Sequence, residues 1–139
     1  MPKGQNKQSS ARGDDFSLPR AKILRGRKNF DRLFENDAHF CRGKNINLRY
    51  KIVDDSSFGC QMAFIVTTKL GKANKRNRTR RLIKEAYRLH QHLLYTPLQK
   101  ATITFHGAFM AKTVDLVFAE AEQDVIRLLE QVRVQLPAL

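Results

Sequence analysis

Hydrophobic and polar positions alternate with a period of two in the middle of the chain, which is typical of strands. Residues 45–53 alternate most clearly: one face carries Ile46, Leu48, Tyr50 and Ile52, and the other carries Asn47, Arg49 and Lys51. Residues 39–42, 58–68 and 101–106 are the other predicted strands, the last one ended by Gly107. The turn signal Asp54-Asp55-Ser56-Ser57 favours a hairpin between the 45–53 and 58–68 strands.

A helical period predicts three helices, at residues 26–36, 74–94 and 119–134. We expect Tyr95-Thr96-Pro97 to end the second helix, because proline cannot continue the hydrogen-bond ladder. Residues 109–118 form an irregular link to the third helix, which is acidic at its start. The order of helix, three strands, helix, strand and helix predicts an α+β fold of αβββαβα order. The strand after the second helix should pair in parallel with the strand before it.

Composition points to one basic domain. The chain has 139 residues and a net charge of +13, which favours nucleic acid or an anionic membrane surface. Residues 1–17 are polar and predicted to be a disordered basic arm, and residues 18–136 form a single domain. No apolar run approaches the roughly 20 residues that span a bilayer, and no signal peptide is visible. With two reduced thiols, these features lead us to expect a cytoplasmic protein with no membrane partner. Cys41 and Cys60 lack metal-ligand spacing and are interpreted as small core residues.

Positive charge is concentrated between Lys69 and Leu89, which hold nine Lys or Arg residues and one acid, Glu85. In the predicted 74–94 helix, one side is apolar: Leu82, Ile83, Ala86, Tyr87, Leu93 and Leu94. The opposite side is polar and cationic: Asn77, Arg81, Lys84 and Arg88. A solvated helix face would normally mix both signs, so this uncompensated row favours a polyanion as partner.

Protein-based nuclease chemistry is not indicated. No cluster of carboxylates could hold two metal ions, because Asp14-Asp15 and Asp54-Asp55 are adjacent pairs in a tail and a turn. His90 and His92 stand two apart on a helix, which is a poor metal pair, and His90 is interpreted as a satisfied boundary residue. We therefore predict no catalytic residue and no metal ligand.

The cationic stretch resembles the signature of the bacterial ribonuclease P protein component, the RNR motif. The matching residues are Lys69, Gly71, Ala73, Arg76, Asn77, Arg78, Arg81, Lys84 and Glu85. Asn74 departs from the family, which usually has an apolar residue there. The resemblance spans residues 20–134 and includes Phe30, Leu33, Phe34 and Tyr50.

The resemblance implies a two-layer sandwich with a four-stranded sheet and a left-handed βαβ crossover, similar to the second domain of ribosomal protein S5. It implies an accessory subunit that assists endonucleolytic removal of the 5′ leader from precursor tRNA. The RNA subunit would supply the active site and its Mg2+, and the protein would be a monomer in a 1:1 ribonucleoprotein.

The resemblance also implies two groups of binding residues. The RNA subunit would contact Lys72, Lys75, Arg76, Asn77, Arg78, Arg80, Arg81, Lys84 and Arg88. The leader would contact Phe30, Phe34, Tyr50 and Lys69, although at least one of the three aromatic residues is expected to be ordinary core. The alternative function is a structural RNA-binding protein of the ribosome or of ribosome assembly, which basic composition alone does not distinguish.

Overall fold

A computed structural model describes residues 16–136, so most of the predicted arm at 1–17 lies outside the described residues. Two short 3-10 turns occupy Arg20–Lys22 and Thr68–Leu70. The elements are α1 Arg27–Arg32, β1 His39–Cys41, β2 Ile46–Asp54, β3 Gly59–Ile65, α2 Ala73–His90, α3 His92–Ala101, β4 Thr104–Ala111 and α4 Phe118–Gln135. Across the described range, no helix is both long and apolar enough to cross a membrane.

The four strands form one mixed sheet in the order β1-β2-β4-β3. β1 and β4 both pair antiparallel with β2, and β3 pairs parallel with β4. The α+β architecture and the parallel pair are as predicted, but the hairpin between β2 and β3 is wrong. β4 lies between them because it is the most completely buried strand, with Phe105 to Phe109 buried without interruption. Such a strand is stable only in the centre of a sheet.

The long cationic helix is divided in two. α2 ends at His90, Gln91 forms the break, and α3 continues past Pro97, so the predicted stop at residues 95–97 is wrong. Pro97 removes one backbone donor from α3. Leu94 and Leu98 are fully buried and hold α3 against the core in spite of that loss.

Gly107 lies in the middle of β4 instead of ending that strand, so the predicted break there is wrong. It stands opposite Tyr50 of β2. A Cβ atom at this position would come within 2.8 Å of Phe105 Cε1 and 3.0 Å of Met62 Sδ. The glycine therefore leaves room for large core side chains, and does so within a regular strand.

The two faces of the sheet are covered unequally. α2, α3 and α4 cover one face, and the main hydrophobic core lies between them and the sheet. On the other face a smaller cluster joins Leu24, Leu33, Ala63 and Ala108, with Phe30 packed against it from α1. α1 is only six residues long, shorter than the predicted 26–36 helix, and so this second face is partly open.

Candidate nucleic-acid interface

α2 presents one apolar and one cationic side. Thr79, Ile83, Ala86 and Tyr87 are buried against the core. The predicted cationic positions are on the surface: Lys72, Lys75, Asn77, Arg78, Arg81 and Lys84 are exposed, and Arg76, Arg80 and Arg88 are half-buried. The structure thus brings together all nine residues of the predicted RNA-subunit group along one helix and the residue before it.

Several of these cations are held in place by neutral oxygen atoms. Arg76 Nε donates to the Gly71 carbonyl at 3.0 Å, and Arg78 Nη1 donates to the Leu116 carbonyl at 3.2 Å. A carbonyl oxygen carries no net charge, so these contacts orient the two guanidinium groups without neutralising them.

Glu85 is the one acid of α2, and it pairs with Arg88. Arg88 Nε and Nη2 donate to the two carboxylate oxygens at 3.0 and 2.7 Å. These hydrogen bonds lower the pKa of the Glu85 carboxyl, mainly because they stabilise its charged form. The carboxylate orients Arg88 and leaves Arg81 and Lys84 without a neutralising partner on the helix.

A buried amide fastens the start of the described chain to the end of α2. Gln91, 1% exposed, donates to the Ser17 carbonyl at 2.7 Å and accepts from Lys22 Nζ at 3.0 Å. Arg88 Nη1 donates to the Phe16 carbonyl at 3.0 Å. Sequence reasoning missed this contact, because nothing in the helical period distinguishes Gln91 from a surface residue.

The open face of the sheet carries the predicted aromatic pair. The ring centroids of Phe30 and Phe34 are 5.7 Å apart. Phe30 is half-buried, and Phe34 is 48% exposed. Lys69 is exposed in the turn that links β3 to α2. Phe34 is therefore the aromatic residue of the predicted leader group that is most accessible to a ligand.

Tyr50 is not available to a ligand, so its placement in the leader group is wrong. Its side chain is 2% exposed and lies on the covered face, stacked between His39 and Phe105 at centroid distances of 4.7 and 5.1 Å. Its hydroxyl donates to Gln135 Oε1 at 2.6 Å, and burial raises its pKa to about 12. The period of two in β2 sends Tyr50 into the core and its neighbour Arg49 to the open face.

Arg49 belongs to an alternating set of aromatic and cationic side chains that sequence reasoning missed. Its Cζ atom lies 5.1 Å from the ring centroid of Phe34 and 4.9 Å from that of Phe40. Arg42 follows, with its Cζ atom 6.0 Å from the Phe40 centroid. We call these four residues the Phe–Arg ladder. The alternation of β2 alone predicts that Arg49 lies on the face opposite Tyr50. Phe40 could be assigned to the same surface only once β1 was seen to pair with β2.

The two cysteines and His90 have structural rather than chemical roles. Within residues 16–136, no group of three or more His, Cys, Asp or Glu side chains could hold a metal ion. Both cysteines are buried, as predicted, and burial raises the pKa of the Cys60 thiol to about 12. His90 Nε2 lies 2.8 Å from Glu122 Oε2, which confirms His90 as a satisfied boundary residue.

The fold and the site define a class: a small α+β protein with a one-sided cationic helix and a partly open sheet face bearing aromatic and cationic side chains. The ribonuclease P family model matches residues 18–133. The chain belongs to the ribonuclease P protein family.

Relatives that are ribonuclease P protein components agree with this assignment. The ribonuclease P protein component of Dictyoglomus thermophilum is 28% identical over 116 residues, 84% of this chain and 92% of its own length. That of Pelotomaculum thermopropionicum is 30% identical over 98 residues, 67% of this chain and 81% of its own length. The match to the Porphyromonas gingivalis component, 36% identical, spans only 44% of either chain.

The solved structures support the fold. The RNase P protein of Staphylococcus aureus superposes with a TM-score of 0.66 at 16% identity, covering 83% of this chain and 98% of its own. That of Thermotoga maritima gives a TM-score of 0.60 at 18% identity, covering 78% and 96%. The predicted left-handed crossover between β3 and β4 stays an expectation of the resemblance.

Proposed function

We propose that this protein is the accessory subunit of ribonuclease P, which binds the catalytic RNA subunit and the 5′ leader of precursor tRNA. The cationic side of α2 carries the proposal, because it concentrates positive charge. Glu85, the one acid of the helix, pairs with Arg88 and leaves the other cations of α2 without an acidic partner on the helix. The holoenzyme would be a 1:1 ribonucleoprotein that removes the leader endonucleolytically.

The chain contributes binding and not the chemistry of cleavage. Its described carboxylates are dispersed and do not form the donor set that a two-metal nuclease needs. Mg2+ would be held by the RNA subunit, and we assign none of this chain's residues to it. Cations on α2 would neutralise phosphates of the RNA subunit and release its counterions.

Binding of the RNA subunit can be tested with a salt series. Arg81→Ala and Lys84→Ala should each reduce the slope of log affinity against log salt by roughly one, because each removes one phosphate contact. Arg127→Ala is a matched control, since Arg127 is an exposed cation on α4. Unchanged slopes in both α2 variants would remove this face from the interface.

The subunit function itself can be tested by reconstitution. The purified protein should restore precursor-tRNA cleavage by the RNA subunit at low magnesium. A protein that binds the RNA subunit but restores no cleavage would instead fit a structural role in the ribosome or its assembly.

Leader binding would use Phe30 and Phe34 on the open face of the sheet and Lys69 in the turn between β3 and α2, with Arg49 in place of Tyr50. Single strands bind to aromatic surfaces flanked by cations, and stacking contributes roughly 1–3 kcal/mol per base. Phe34→Ala should therefore weaken holoenzyme binding of precursor tRNA and leave mature tRNA almost unaffected. Phe58→Ala is a matched control, because Phe58 is 37% exposed and packs on Tyr95, outside the Phe30–Phe34 pair. Equal weakening of both tRNAs by Phe34→Ala would exclude this site.

A further inference from the structure

The Phe–Arg ladder extends from α1 across β2 to the edge strand β1. Phe34 follows α1, Arg49 lies in β2, Phe40 lies in β1 and Arg42 follows that strand. Between consecutive members, the distance from the arginine Cζ atom to the phenylalanine ring centroid is at most 6.0 Å. Four flat groups are thus arranged in sequence on one surface.

The ladder is accessible and rigidly supported. Phe34 is 48% exposed and Phe40 is 41% exposed. Phe40 pairs directly with Arg49 in the antiparallel register of β1 and β2. The turn after β1 is fixed as well, because Gly43 N donates to Asn47 Oδ1 at 3.1 Å and Lys112 Nζ donates to the Gly43 carbonyl at 2.9 Å.

The charges of the ladder are not neutralised by the protein. Among the described residues, no carboxylate forms an ion pair with Arg42 or Arg49. Lys51, the next cation on the same face of β2, has the opposite environment: its Nζ lies 2.7 Å from Glu35 Oε1 and 3.1 Å from Asp37 Oδ1. The protein therefore neutralises the cation beside the ladder and leaves those within it free to attract an anion.

Stabilisation of the fold does not explain this arrangement. An exposed cation–π pair contributes only about 0.5–1 kcal/mol. Phe40 is half-exposed on the edge strand β1, and Phe34 is half-exposed beside Arg49 of β2. Exposed apolar rings near a sheet edge favour association with other chains, which proteins usually avoid. A ligand with flat apolar groups and a negatively charged backbone would bind both kinds of side chain at once.

We propose that Phe40 and Arg42 form a second stacking site for single-stranded RNA, which continues the leader site from Phe34 to the β1 edge. Bases would stack on the ring of Phe40 and on the guanidinium planes, while the arginines pair with phosphates. The proposal rests on the proposed leader function, because Phe34 is shared by both sites. It adds that leader nucleotides beyond those at Phe34 also contact the protein.

The experiment varies leader length in the reconstituted holoenzyme. Affinity is measured for precursor tRNAs with leaders of one to about ten nucleotides, and for mature tRNA, with wild type, Phe40→Leu and Arg42→Gln. The wild type should gain affinity in two stages as the leader lengthens. Phe40→Leu should lose the second stage, about 5-fold to about 150-fold for a stacked base, and bind short leaders normally. Arg42→Gln should lose part of the same stage.

Two matched controls accompany these variants. Phe58→Leu removes an aromatic residue of similar exposure elsewhere on the surface, and Lys51→Gln removes a cation that is already paired. Neither should change the dependence on leader length. A leader carrying 2-aminopurine at successive positions gives a second readout, because stacking on Phe40 quenches its fluorescence at particular positions.

The outcomes separate this inference from the proposed function. If Phe34→Ala removes the preference for precursor tRNA while Phe40→Leu and Arg42→Gln match the wild type at every length, the second site is wrong and the leader site stands. If none of the three changes that preference, both are wrong. Equal loss for all ligands, mature tRNA included, would also overturn the inference, since it would indicate a general effect on the protein.

Discussion

Arg49 and Tyr50 are neighbours in β2, and they belong to regions with opposite properties. Tyr50 lies on the covered face, where three helices exclude water and aromatic rings pack on both of its sides. Arg49 lies on the open face, where the short helix α1 leaves its guanidinium among half-exposed rings. The strand and its alternation are the same for both, so the helices that pack on each face determine which residue is structural and which can bind a ligand.

Substitution of these two neighbours should separate stability from recognition most clearly. Tyr50→Ala should lower the free energy of unfolding by about 3–5 kcal/mol, as for other truncations of buried aromatic residues. Arg49→Ala should change it by no more than about 1 kcal/mol, the value of exposed cation–π contacts. Denaturant unfolding measures both.

The binding measurement should give the reverse order. Arg49→Ala should reduce the ratio of precursor to mature tRNA affinity, whereas Tyr50→Phe, which keeps the buried ring, should leave that ratio unchanged. A reduced ratio in Tyr50→Phe with an unchanged one in Arg49→Ala would contradict the assignment of the two faces.

α2 allows the same comparison within one helix, between adjacent residues. Ile83 is fully buried, and Ile83→Ala should lower the free energy of unfolding by about 2–5 kcal/mol. Lys84 is exposed, and Lys84→Ala should change stability by less than about 0.5 kcal/mol while weakening RNA binding. A loss below about 0.5 kcal/mol for Ile83→Ala would mean that the other side of α2 faces the core.

The sequence predicted burial correctly wherever a local hydrophobic period determines which side chains face the core. The two sides of α2 and the two faces of β2 could be read from it, and both are confirmed by burial. The same alternation had already placed Tyr50 with Ile46 and Leu48, so the error came from giving a ligand role to a residue on the apolar face.

Features that depend on distant parts of the chain could not be predicted in this way. The position of β4 between β2 and β3 depends on which strand buries most surface, a property of the whole sheet. The break at Gln91 depends on contacts with Ser17 and Lys22, which are about 70 residues away in sequence. The ladder requires β1 beside β2, and a three-residue strand has almost no periodic signal.

Gly107 tests how tightly the covered face is packed. Gly107→Ala should lower the free energy of unfolding by about 1–3 kcal/mol, because the new methyl group would overlap the buried ring of Phe105. Gly59→Ala is the comparison, since its Cβ would approach nothing closer than 3.3 Å, from Thr104 Cγ2, and the loss should be smaller. Equal losses would show that overlap with Phe105 is not what selects glycine at position 107.

His106 provides a pH-dependent test of the other face, where it pairs across the sheet with Lys51. Its side chain is 9% exposed, and its Nδ1 atom is buried with no hydrogen-bond partner among the described residues. Burial lowers the pKa of the imidazole below the usual 6.5, and the nearby charge of Arg32 lowers it further.

The unfolded chain therefore binds a proton at His106 more readily than the folded protein does. The stability due to the neutral imidazole is fully present above pH 6.5 and is lost as the pH falls through the lowered folded pKa. Wild type should lose more unfolding free energy than His106→Gln between about pH 7.5 and pH 5.5 in denaturant titrations, because carboxylate titrations are common to both proteins. Arg32→Gln should reduce the difference, since it removes the second cause of the shift. An identical pH dependence in wild type and His106→Gln would show that the imidazole is solvated on this face, and that α1 covers less of the sheet than its contacts indicate.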